Sequence, residues 1–185
     1  RGVDMLFHPG THDFVAFDMA WGGKHHPTIP VYLGANSGHG KRGHPKIERD
    51  QQNKAGFMLK HFFPDEVKGD LLAPPQVKSE LKGKTLKVSV SFAPGSGEES
   101  GRIWWIFNRA PDGSPNYMSE MIPDNQTMEM KKHGDQWSAT IELDPKAKRI
   151  DFFSNHRKTL RYKESSYRTY ICLLYTSDAA DDRLS

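Results

Sequence analysis

Apolar and polar residues alternate along most of residues 76–171, and this alternation constrains the fold more than any other feature of the chain. In KTLKVSVSF, the residues Leu86, Val88 and Val90 fall on one side of an extended chain, and QWSATIEL repeats the pattern. A period of two is typical of strands with one buried face. Further candidate strands are RIWWIFN, QTMEMKK, RIDFFSN and SYRTYI, separated by turn-forming stretches such as APGSGEESG and LDPKA. Roughly six or seven short strands joined by Gly-, Pro- and Asp-rich turns predict a β-sandwich over residues 76–171.

Residues 1–63 follow a different pattern, in which predicted strands alternate with predicted helices. VDMLFHPG and TIPVYLGANS are typical of short apolar strands, DFVAFDMAW of an amphipathic helix, and HPKIERDQQNKAGFMLKHFF of a second helix that begins near Pro45. One face of the second helix carries apolar side chains and is predicted to be buried, namely that of Ala55, Met58, Leu59 and Phe62. This alternation indicates a parallel sheet covered by helices. Because so short a segment cannot bury such a sheet alone, we expect residues 1–63 to be the last part of a larger domain, joined by a linker over residues 64–75.

Two polar residues follow the predicted strands of this first part. Asp13 lies in the turn GTHD, and His39 lies in the glycine-rich loop NSGHG. Because the carboxyl ends of neighbouring parallel strands meet at one edge of a sheet, Asp13 and His39 are expected to lie close together. Asp13 also fits the N-cap of a helix that begins at Phe14, and Asp18 is the alternative acid.

The segments PGTHD, AWGG, PVYLGANSGHG and FMLKHFF resemble the C-terminal end of an α/β-hydrolase. The likeness is to carbohydrate-esterase-like or dienelactone-hydrolase-like members that carry a β-sandwich after the catalytic domain. It implies a fold of class α/β followed by all-β, with the last βαβα units of an α/β-hydrolase fold and an immunoglobulin-like β-sandwich. It also implies that His39 is the general base and that Asp13 orients it. Because no G-x-S-x-G occurs in the chain, the nucleophile is expected upstream of Arg1 and this chain alone is expected to be inactive.

The predicted function is therefore that of part of a serine-type hydrolase, an esterase whose substrate is a carbohydrate ester or another small ester, with no cofactor and no metal. Two alternatives stay open, a serine peptidase of the same fold and a non-catalytic glycan- or protein-binding module. The formal net charge of +3 comes from cations that are mixed with acids, so no nucleic-acid partner is expected. No apolar run reaches the roughly 20 residues that span a bilayer, so no membrane partner is expected. No sequence feature determines the location of the protein, and a periplasmic or secreted location is the expectation.

Two other chemistries are weaker interpretations of the same residues. Residues 38–43, GHGKRG, match the dinucleotide-binding fingerprint G-x-G-x-x-G, but Asp65, at the distance of the required ribose-binding acid, directly follows a proline. A zinc site would need three imidazoles and a carboxylate, and no H-x-x-x-H or H-E-x-x-H sequence organises the candidate ligands His25, His26, His39 and His44.

The end of the chain carries a distinct signature. The segment CLLYTSDAADD, from Cys172 to Asp182, resembles the translation of a sequencing adapter that recurs in assembled metagenomic reads. Residues 172–185 are therefore predicted to be a non-native tail. The chain has a single cysteine, which lies in this segment, so no disulfide framework is expected.

Overall fold

Nearly all the regular structure of the chain is β. The computed structural model describes residues 4–12, 28–38, 41–108 and 121–177. The helix among them is α1 (Asn53–Phe62). The strands are β1 (Ser37–Gly38), β2 (Lys41–Arg42), β3 (Gln76–Lys82), β4 (Thr85–Ser91), β5 (Ser100–Phe107), β6 (Thr127–Glu129), β7 (Lys131–His133), β8 (Gln136–Glu142), β9 (Ile150–Tyr162) and β10 (Ser165–Ser177).

Eight of these strands form two four-stranded antiparallel sheets. Sheet A has the order β10-β9-β5-β6, and sheet B has the order β3-β4-β8-β7. The inner faces of both sheets contribute to one apolar core, which includes Val88 and Ile141 from sheet B and Ile103, Trp105 and Phe152 from sheet A. This architecture is compatible with the β-sandwich predicted for residues 76–171, because the alternating residues of β4 and β8 do face that core.

The outer face of sheet A is covered by the N-terminal part of the chain. Leu33 and Ala35 pack with Trp104, Phe153 and Cys172, all of them buried. The backbone N–H of Cys172 donates to the carbonyl of Val31 over 2.6 Å. Strand β10 itself continues to Ser177, so residues 172–177 of the predicted tail pair with β9. Residues 30–38 and 41–48 therefore form a third layer on the sandwich, which we call the N-terminal layer.

The predicted α/β-hydrolase fold is wrong. Strand makes up 46% of the structure and helix 7%, with two antiparallel sheets and one helix among the described residues. The predicted strands near residues 7 and 31 meet only in two isolated parallel bridges, Phe7 with Val31 and Gly10 with Gly34. The physical reason is that this segment buries Tyr32 and Leu33 against a ready-made antiparallel sheet, and no extended parallel sheet forms within the described residues.

The second predicted helix exists, but its start and its buried face differ from the prediction. Helix α1 begins at Asn53, and residues 45–52 are not helical. Its apolar side is open to solvent, with Met58 49% and Phe62 61% exposed. The buried residues are Asn53 and Gly56, because the Asn53 side chain accepts a 2.5 Å hydrogen bond from the backbone N–H of Tyr170 in β10. Helix α1 therefore packs against β10 through the hydrogen bond of Asn53 and the close approach at Gly56, and not through its apolar face.

Replacing Gly56 by alanine is expected to destabilise the protein by about 1–3 kcal/mol, although alanine is the better helix former. An added Cβ would lie 2.3 Å from Cγ2 of Thr169, which is too close for any real contact. Thr169→Ser removes that methyl group and keeps the hydroxyl that donates to the carbonyl of Lys158. Urea unfolding should therefore show that the double variant recovers most of the loss. A more stable single variant would contradict this account of the contact.

Candidate functional site

The predicted catalytic residues Asp13 and His39 lie outside the described residues. The structure does bring the segments before them together, because the backbone N–H of His12 donates to the carbonyl of Ser37 over 2.9 Å. The side chain of Ser37 is already hydrogen-bonded, since its hydroxyl donates to the carbonyl of Gly34 over 2.9 Å. The pairing of Asp13 with His39, and the esterase activity inferred from it, therefore stay predictions.

The glycine-rich stretch does not form a strand-to-helix turn. Ser37 and Gly38 pair antiparallel with Lys41 and Arg42, so the chain folds back on itself as a small ribbon. The segment that follows, residues 43–52, is not helical. A dinucleotide fingerprint needs its last glycine at the start of a helix, and this geometry lacks that feature.

Of the four candidate zinc ligands, His44 lies among the described residues. His25, His26 and His39 lie outside the described residues, and His44 is fully buried with its ring 4.9 Å from that of Trp104. Within residues 4–12, 28–38, 41–108 and 121–177, no three His, Cys, Asp or Glu side chains come together as a metal site would require. In the same ranges, no helix has the length and apolar character needed to cross a membrane.

The most distinctive surface feature is a cleft of about 330 Å³ between the outer face of sheet A and the N-terminal layer. Its floor follows the cross-strand register of sheet A, in which Asn155 lies opposite Arg102, and Arg157 lies opposite Ser100. Tyr32 and residues 46–48 form the facing wall. Seven separate stretches of sequence therefore build one concave surface, which we call the cleft.

A network of charges crosses the cleft and is centred on Arg157. Its Nη1 lies 3.1 Å from Oε2 of Glu48, and its Nε lies 3.2 Å from Oε2 of Glu99. The hydroxyl of Tyr170 also donates to Glu48, and burial together with that carboxylate raises the pKa of Tyr170. Glu99 in turn accepts a 2.9 Å bond from the backbone N–H of Thr159. Because Glu48 belongs to the N-terminal layer and Arg157 to β9, this network joins the two walls of the cleft.

The floor of the cleft contains two buried polar atoms that have no hydrogen-bond partner among the described residues. They are Nε1 of Trp104 and Oδ1 of Asn155. The amide nitrogen of Asn155 is satisfied, because it donates to the carbonyl of Leu33 over 3.2 Å. Arg102 lies beside them, bonded to Glu129 over 2.8 Å and with its guanidinium 5.8 Å from the ring centroid of Trp104. One unpaired donor and one unpaired acceptor thus lie in residues that line the same cavity.

A second polar group lies around Trp137, one of the residues that line the cleft. The indole N–H of Trp137 donates to Glu98 over 3.1 Å, and Lys132 lies 2.9 Å from the same carboxylate. Burial acts to raise the pKa of Glu98, but the bonds from Lys132 and Trp137 outweigh it and hold the pKa below its ordinary value. Behind them His156 is fully buried, and burial lowers its pKa to about 4. This histidine is therefore neutral near pH 7.

Sequence reasoning did not identify the cleft. Trp104 and Trp137, which line the cleft, are both buried. The available signal lies in the strands β5 and β9. Arg102 directly precedes the apolar run IWWIF of β5, and Asn155 and Arg157 follow the apolar pair Phe152 and Phe153 in β9. Charged side chains within long buried strands are unusual unless they are paired or bind a ligand.

Comparison with known proteins gives no match from which a family or a function could be assigned. No family model, no curated protein and no solved structure matches the chain.

Proposed function

We propose that the chain is a non-catalytic module that binds a neutral carbohydrate in the cleft. The observation that carries this proposal is the combination of the size of the cleft with its lining. Its volume of about 330 Å³ lies within the range of small-molecule sites, about 300–1,000 Å³. Its lining contains both hydrogen-bond donors and acceptors, as a ligand covered with hydroxyl groups requires.

The donors and acceptors are held in place before any ligand arrives. Arg157 is fixed between Glu48 and Glu99, and Arg102 is bonded to Glu129. Each guanidinium keeps further N–H groups, and each carboxylate keeps further lone pairs. A side chain that is already ordered loses little conformational entropy on binding, so this network favours a ligand that fits it without rearrangement.

The two unpaired atoms of the floor favour a hydroxyl group in particular. Among the described residues, Nε1 of Trp104 is a donor without an acceptor, and Oδ1 of Asn155 is an acceptor without a donor. A hydroxyl group both accepts and donates, so a ligand that carries several hydroxyl groups offers partners of both kinds.

The charges of the lining support a neutral ligand. Lys46, Arg102 and Arg157 are balanced by the three carboxylates of the lining, those of Glu48, Glu99 and Glu129. An acidic sugar would face these carboxylates, and an amino sugar would face the guanidiniums. A neutral sugar meets neither repulsion, so we expect it to bind better than its charged relatives.

Titration calorimetry with neutral mono- and disaccharides, a uronic acid and an amino sugar tests this proposal. We expect at least one neutral sugar to bind, and Arg102→Met to weaken its binding by about tenfold or more, because a hydrogen bond to a charged group is lost. Asn155→Leu should weaken it similarly.

Arg161→Met is the matched control, because Arg161 is exposed on the same strand as Arg157 and does not line the cleft. It should leave the affinity unchanged. If no neutral sugar binds at millimolar concentration, or if Arg161→Met weakens binding as much as Arg102→Met, the proposed function is wrong.

A further inference from the structure

We propose that the chain forms a symmetric dimer in which β3 pairs antiparallel with β3 of a second copy, about a two-fold axis at Ser79. Strand β3 is an edge strand of sheet B. It pairs with β4 on one side, and no strand within the described residues pairs with its other side. An open edge of this kind is a template for another strand.

The backbone of β3 is regular enough to accept a partner. All seven of its residues pair in register with β4, from Gln76 with Ser91 to Lys82 with Thr85, without a bulge. Lys82 and Thr85 flank a two-residue turn and so form a hydrogen-bonded pair, and the bonding direction alternates from there along the strand. Val77, Ser79 and Leu81 therefore direct their N–H and C=O groups away from β4, towards the open edge.

An axis at Ser79, the midpoint of β3, is the one that pairs all seven residues of the strand with the second copy, and it makes their side chains complementary. With the axis at Ser79, Lys78 lies opposite Glu80 of the second copy, and Val77 lies opposite Leu81 of the second copy. Each of these pairs occurs twice because of the symmetry. An axis at Lys78 would instead oppose two lysines, and an axis at Glu80 would oppose two glutamates, and like charges directly opposite each other are destabilising.

The surroundings of β3 support the same register. Lys78 and Glu80 are exposed, so both are accessible to a partner. Glu80 already lies opposite Lys87 of β4, so in the dimer each Glu80 would lie between two lysines on the outer face. Val77 and Leu81 are half-buried at the edge of the core, and a second strand would cover what remains exposed. The result is one continuous eight-stranded sheet.

Sedimentation velocity across about 5 to 500 µM, the range of weak dimers, tests the proposal on the whole chain. We expect a concentration-dependent dimer. Lys78→Glu and Glu80→Lys should each weaken dimerisation by roughly tenfold, because each places like charges opposite each other twice. An equimolar mixture of these two variants should form heterodimers, because every pair across the axis is then again of opposite charge.

Three further variants complete the test. Lys131→Glu changes the charge of the opposite edge strand β7 equally and should leave the dimer intact. Ser79→Pro removes an outward N–H without touching the ladder with β4, and should give a monomer whose thermal unfolding is cooperative. The proposal is overturned if the wild-type chain stays monomeric at all concentrations, if the mixture fails to associate, or if Phe62→Ser on the exposed side of α1 abolishes the dimer while Lys78→Glu does not.

Discussion

Replacing Asn36 by alanine is expected to lower the free energy of unfolding by about 3–4 kcal/mol. Asn36 is 2% exposed, and its side chain makes two hydrogen bonds to the backbone of Ile122. The amide nitrogen donates to the carbonyl of Ile122, and the amide oxygen accepts from its N–H, both over 2.8 Å. Alanine would leave both buried backbone groups unpaired. It would also place a Cβ-bearing residue at a φ of 54°, which asparagine tolerates better than alanine does.

Asn108 offers a matched control for this prediction. It has the same φ of 54°, and its side chain accepts a 2.7 Å bond from the backbone N–H of Lys148, but it is exposed. Asn108→Ala should therefore cost clearly less than Asn36→Ala in urea unfolding, because water replaces the lost partner. Asn36→Asp replaces the donor by a carboxylate oxygen that faces the carbonyl of Ile122 in a buried position, so at pH 7 it should cost at least as much as Asn36→Ala. Equal losses at positions 36 and 108 would show that burial does not determine the effect.

Lowering the pH from 7.5 to 4 is expected to remove about 3 kcal/mol of stability through His156 alone, about 2 kcal/mol of it by pH 5. The folded protein holds this histidine neutral with a pKa of about 4, because burial lowers it from 6.5. The unfolded chain takes up a proton below pH 6.5, and the folded protein does not. The contribution is therefore complete above pH 6.5 and is lost as the pH falls towards 4.

The groups around His156 define the control. Its ring contacts those of Phe92 and Trp137, it shares a 3.0 Å hydrogen bond with Ser154, and the charge of Glu98 favours its protonated form. His156→Gln removes the titration, so urea unfolding at several pH values between 7.5 and 5 should show a shallower loss of stability for this variant. The loss should not vanish, because burial also lowers the pKa of His44. Parallel pH profiles for the variant and the wild type would contradict the assignment to His156.

The strand predictions are most accurate where every second side chain of a strand faces the core. Val88 and Val90 in β4 and Ile141 in β8 follow this rule, and their apolar period is visible in the sequence. Strand β3 was missed, because an edge strand needs few apolar residues and this one has only Val77 and Leu81. Its position depends on pairing with β4, which is a property of two segments and not of one.

The error over the N-terminal part has a different physical origin. Local pattern predicted both the two short apolar segments and the helix, but it carried no information on what they pack against. Gly56 and Asn53 determine how α1 docks on β10, and neither residue has a hydrophobic signal. The cleft was missed for the same reason, because Glu48, Arg102 and Arg157 come from distant segments and meet only in the folded chain.

The cleft lies at the boundary between the N-terminal layer and sheet A, so its two walls come from different parts of the chain. Glu48 and Tyr32 belong to one side, and Arg157 and Asn155 belong to the other. A ligand that contacts both sides binds only while the layer is in place, so by mass action it holds the layer down with a strength that grows with its concentration. A molecule bound in the cleft would thus stabilise the attachment of the N-terminal layer to sheet A. The free energy needed to detach that layer from the sandwich would then depend on whether the cleft is occupied.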